Sequence, residues 1–108
     1  MRIDFVFEEI EANPLSAVHQ NGEALYFVKN QTEEICFAAV QCIGWALEHV
    51  KNQTEIICLA AVKEYGLALE FVKNQTEEIC LAAVKQNWRA FQYIRDNSMR
   101  KKIIGMIK

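Results

Sequence analysis

Apolar positions along this chain come in short blocks, set apart by polar punctuation that returns at a fixed spacing. The longest unbroken block, Ile56 to Val62, follows Thr54-Glu55 and precedes Lys63-Glu64. Thr54 is a good helix N-cap, and the charges of Glu55 in the first turn and Lys63 in the last both suit the helix dipole. These signals predict a helix over Glu55–Lys63 that is apolar on nearly every side, and therefore sandwiched between neighbours. A second, amphipathic segment is predicted at Leu67–Lys73, with Ala68, Leu69 and Val72 inward and Glu70 and Lys73 in solvent. Gly66 between the two is predicted as a left-handed C-cap, and Asn74 as the left-handed terminator of the second helix.

The same punctuation recurs every 22 residues: KNQTEEICFAAVQCIGWALEHV at 29–50, KNQTEIICLAAVKEYGLALEFV at 51–72 and KNQTEEICLAAVKQNWRAFQYI at 73–94. A degenerate copy at 7–28 keeps Val18, Gly22, Ala24, Leu25 and Val28 in register. Ile3, Asp4, Phe5 and Val6 align with Leu69, Glu70, Phe71 and Val72, so 1–6 reads as half a repeat. Ser98 falls on the Thr32/Thr54/Thr76 position, and 95–108 reads as a C-terminal half repeat capped by Ser98. Helices this short are marginal alone in water, and stacking on neighbours is what stabilises them. The expected architecture is therefore a single all-α domain over 1–108, an α-solenoid of about ten short helices.

The signature NQTEEICLAAVKQN, followed by an Ala-Leu-Glu-Phe-Val helix, resembles the short tandem helical repeat known as domain of unknown function 4116. The resemblance covers about 13–96. It implies a tandem all-helical domain of bacterial and large-virus proteins, and brings no assigned activity or catalytic residue. Trp88 departs from the Gly of the other copies.

Composition adds little beyond a folded domain: 52% of residues are hydrophobic and 24% charged, with one Pro and four Gly. Seven apolar residues in a row are far too few to span a bilayer. The acidic start MRIDFVFEEIEANP lacks the apolar core of a signal peptide, so a cytoplasmic location and no membrane association are expected. The net charge of −2 hides an asymmetry, since residues 1–84 sum to −8 and 85–108 to +6. That marks either a basic tail for a second partner or simply where the repeats end, and the second reading is preferred.

Candidate chemistry is sparse. Cys36, Cys58 and Cys80 recur one per repeat, at equivalent points about 8–10 Å apart in stacked helices, too far for a disulfide or a shared metal. They are expected as small buried thiols in a reducing compartment, whereas Cys42 replaces a polar residue. The formal sequons at Asn30, Asn52 and Asn74 are explained by N-caps and helix terminators. Glu33-Glu34 and Glu77-Glu78 sit where the dipole favours carboxylates, and side chains adjacent on a helix do not converge on one substrate. No cofactor, metal or catalytic residue is expected.

Departures between copies are more informative. Cys42 and Ile43 stand where other copies carry Gln or Asn. Trp45 stands opposite Glu23 and Arg89, Ile56 opposite Glu34 and Glu78, Tyr65 opposite Asn21 and Asn87. His49 interrupts the aromatic series Phe5, Phe27, Phe71 and Tyr93. Exposed aromatic and aliphatic residues that the other copies do without suggest an interaction surface centred on Trp45. The expectation is a non-catalytic scaffold that binds another protein, or itself as a homodimer. One alternative is a small inhibitor of phage or virus origin that blocks an enzyme by covering its surface. A second is nucleic-acid binding through Arg89, Arg95, Arg100, Lys101 and Lys102, which the acidic body disfavours.

Overall fold

The computed structural model describes residues 7–107. The half repeat read at 1–6, with Phe5 of the aromatic series, lies outside the described residues, as does Lys108. Among the described residues ten helices follow one another: α1 (Phe7–Ala12), α2 (Pro14–Gln20), η1 (Gly22–Phe27), α3 (Glu33–Cys42), η2 (Gly44–His49), α4 (Glu55–Glu64), η3 (Gly66–Phe71), α5 (Glu77–Gln86), η4 (Trp88–Tyr93) and α6 (Asn97–Ile107). The described residues are all-helical, and each repeat packs on its own members and those of the next. The α-helices form one layer and the η helices the other. The result is elongated, 49 × 28 × 16 Å with a radius of gyration of 14.9 Å, against about 13 Å for a compact chain of this length.

Thr32, Thr54 and Thr76 cap the α-helices as the sequence indicates, each hydroxyl accepting from the backbone N–H three residues on. The second helix of each repeat differs from expectation. It is a six-residue 3₁₀-helix, and the reason lies in its buried positions. With three residues per turn, positions three apart eclipse. Gly44, Leu47 and Val50 therefore form one line facing the core, as do Gly66, Leu69 and Val72, and all six are buried.

Neither left-handed cap exists, since no described residue has a positive φ. The α-to-η corner is instead a single extended residue: Asn21, Ile43, Tyr65 or Asn87, with φ between −142° and −154°. Gly66 serves close approach rather than backbone freedom. A Cβ there would lie 2.5 Å from the Ala83 carbonyl oxygen of the next repeat, and one on Gly22 would lie 2.6 Å from that of Ala39. Pro14, standing where other copies have Cys, breaks the first α segment into α1 and α2, with Asn13 capping the second.

Successive repeats are joined by a residue the sequence reading passed over. Gln53 donates its Nε2 to the Phe71 carbonyl (2.8 Å), while its Oε1 accepts from the Lys73 N–H (3.0 Å) and the Cys58 thiol (3.6 Å). Gln31 bonds in the same way to His49 and Lys51, and Gln75 to Tyr93 and Arg95. Each amide thus satisfies the backbone at the end of the following 3₁₀-helix. Gln53→Ala should cost about 2 kcal/mol, because it orphans the partly buried Phe71 carbonyl and frees the Lys73 N–H. A urea midpoint unchanged from wild type would contradict that role.

The last half repeat breaks register. Asp96, not Ser98, caps α6, its Oδ2 accepting from the Met99 N–H at 3.3 Å. Of α6, only Ile103 is fully buried.

Candidate functional site

The described residues contain no buried polar or charged side chain, and no cluster of three or more His, Cys, Asp or Glu that could hold a metal ion. The thiols of Cys36, Cys58 and Cys80 are buried and unbridged. Burial first, then nearby Glu55, pushes the Cys58 thiol up to about 11. Burial also raises Cys36, helped by Glu33, and raises Cys80, partly offset by Arg95. Thiols held protonated in this way are poor nucleophiles.

What distinguishes the surface is where large apolar groups meet solvent. Four of the residues singled out from the copies gather where α3 and α4 end and η2 begins. Trp45 is 43% exposed, its indole N–H bonded to Glu23 Oε1 at 3.0 Å and its ring edge-on to Tyr65 at 5.3 Å. Ile43 is the half-buried corner residue before it. Cys42 is exposed at the end of α3, its thiol directed at the His19 carbonyl (3.8 Å).

His49 lies at the other end of η2, half-buried and edge-on to Tyr26 at 5.2 Å. Tyr26 itself, 66% exposed, was not singled out from the sequence. Ile56 does not join the group. It is exposed in the first turn of α4, and it lies nine residue steps, roughly 13 Å along the axis, from Tyr65.

The corner positions reveal a further difference between copies. Asn21 and Asn87 accept hydrogen bonds from the N–H groups of Glu23 and Arg89, capping their 3₁₀-helices. Ile43 and Tyr65 make no side-chain cap bond. The two central repeats therefore carry apolar side chains where their neighbours carry a stabilising cap, which is worth about 1 kcal/mol in an α-helix.

The basic residues are largely engaged within the fold. Arg95 donates from Nη2 to the carbonyls of Val72 (2.6 Å) and Lys73 (3.0 Å). Arg100 donates to those of Ile94 (2.7 Å) and Gln92 (3.3 Å). Lys102 pairs with Glu77 at 3.7 Å, an exposed contact of little energetic weight. Arg89 lies over the Trp88 ring at 5.7 Å, and Lys101 is exposed. These five do not form one free basic patch.

Residues 54–100 match the family model described as Domain of unknown function (DUF4116). The match agrees with the resemblance read from the repeat signature, over a shorter stretch than 13–96. Within the DUF4116 stretch lie Ile56, Tyr65 and three of the basic residues, Arg89, Arg95 and Arg100, the last of them its final position, while Lys101 and Lys102 follow it. Cys42, Ile43, Trp45 and His49 precede it. Comparison with curated proteins and with solved structures finds no match. Among the described residues, no helix is long and apolar enough to cross a membrane.

Proposed function

We propose that this chain is a non-catalytic α-solenoid that binds another protein through the corner formed by Ile43, Trp45 and Tyr65. The observation that carries the reading is the missing cap. Two central copies forgo a stabilising Asn and present large apolar groups instead, and departures from local stability rules concentrate at functional sites. Trp45 and Tyr65 add the aromatic anchors on which interface energy concentrates. A reducing, cytoplasmic setting suits the unbridged thiols. Engagement of Arg95 and Arg100 by backbone carbonyls favours protein over nucleic acid as the partner.

The test restores the cap. Tyr65→Asn copies the first and last repeats, so its stability should stay within about 1 kcal/mol of wild type. Wild-type and variant baits are then compared in lysate of the native host. A partner held by the wild type and lost by Tyr65→Asn is the expected result. Equal retention by both baits would overturn the assignment of this corner.

A further inference from the structure

In the inner repeats, Gly22, Gly44 and Gly66 press against the Ala39, Ala61 and Ala83 carbonyls of the following α-helix. The fourth repeat has Trp88 at this position, and the residue one repeat beyond Ala83 is Gly105. A Cβ on Gly105 would meet nothing within 4 Å. The bulk of Trp88 excludes the close approach, so α6 stands off from η4 and leaves a groove of about 560 Å³. Its walls are Val84, Trp88, Phe91, Ile104 and Ile107, with Arg89 and Gln92 as the polar members. Trp88 is 72% exposed within it. The volume falls within the general range of ligand pockets, roughly 300–1,000 Å³.

Charge selects the occupant. Arg89 lines the groove, and Lys101 lies one turn before Ile104 on the same side of α6. No acidic side chain among the described residues lines it. From Lys85 onward the only acid is Asp96, which is occupied in capping α6. The rest of the chain is strongly acidic and repels negative segments, leaving this end to attract them. An apolar floor between two helical walls fits an apolar stripe at i, i+3, i+4 and i+7, and a basic rim fits acids beside that stripe.

We propose that the groove between η4 and α6 receives an acidic amphipathic helix of a partner protein. The site is separate from the Trp45 corner and does not rest on it. Stacked bases are a poorer fit, because the walls are aliphatic as well as aromatic and two of the nearby arginines already serve backbone carbonyls.

The test uses the full chain and a fluorescein-labelled peptide of about 18 residues, long enough to form a helix, with Leu at i, i+3, i+4 and i+7 and Glu at most other positions. Fluorescence anisotropy should show saturable binding, at least about tenfold tighter than for the same peptide with Lys in place of Glu. Ile104→Glu, at an exposed position, should abolish binding, and Arg89→Glu should weaken it about tenfold or more. Circular dichroism checks that both variants stay folded, and Trp45→Ala should bind the peptide like wild type. Four results would overturn the proposal: no saturation, equal affinity for the Lys peptide, tighter binding of a labelled oligothymidine, or a dimer in sedimentation that Ile104→Glu dissolves.

Discussion

Gly44→Ala should destabilise the fold by about 3 kcal/mol, the upper part of the usual range for overpacking. A Cβ at this position would lie 2.6 Å from the Tyr65 Cβ and 2.7 Å from the Ala61 carbonyl oxygen. Both belong to the neighbouring repeat's main chain or its first side-chain atom, so no rotamer change relieves the clash. The repeats must move apart, and the buried contacts of η2 with α4 loosen with them. Gly105→Ala is the internal control. Its Cβ would enter open space in a helix, so it should be neutral or stabilising by up to about 1 kcal/mol. Chemical denaturation of the two variants beside wild type checks both signs. Similar losses from both would show that Gly acts here through backbone conformation and not through close approach.

That contrast also explains what could be read from the chain before its structure. The repeat, its Thr caps and its buried Leu and Val positions were legible, because the 22-residue period compares equivalent sites within one sequence. The role of Gly66 was not. A glycine between two helices is compatible with a left-handed corner or with a close neighbour, and only the position of Ala83 distinguishes them. The 3₁₀ form of η3 was equally hidden, since a six-residue stretch with buried residues three apart also fits one side of an α-helix.

Gln53 was missed for a different reason. A polar residue in a linker reads as solvated, yet its partners at Phe71 and Lys73 lie about one repeat away. The signal was its identity in three copies, which Asn and Thr beside it share for their own reasons. Of the surface residues, the Trp45 and Tyr65 pairing followed from departures at neighbouring corners. Ile56 did not follow, because an exposed position in the first turn of α4 is far from the corner at its end. Arg95 and Arg100 looked free because a carbonyl acceptor leaves no mark in sequence.

Residues departing from the repeat are proposed to serve binding, while those that recur serve the stack. Trp45 carries the sharpest expectation. Its side chain is exposed, tied by one hydrogen bond to Glu23 and by an edge contact to Tyr65. Removing both contacts at a solvent-exposed site should cost about 1 kcal/mol of stability. A central aromatic anchor in an interface typically contributes about 2 kcal/mol or more, equivalent to roughly 30-fold in affinity. The decisive measurement is the dissociation constant of the captured partner for wild type and for Trp45→Ala, taken by titration calorimetry with both melting temperatures recorded. Binding should weaken about 30-fold or more while the melting temperature falls by no more than about 8 °C. Unchanged affinity, or affinity lost only because the variant unfolds, would contradict a binding role for Trp45.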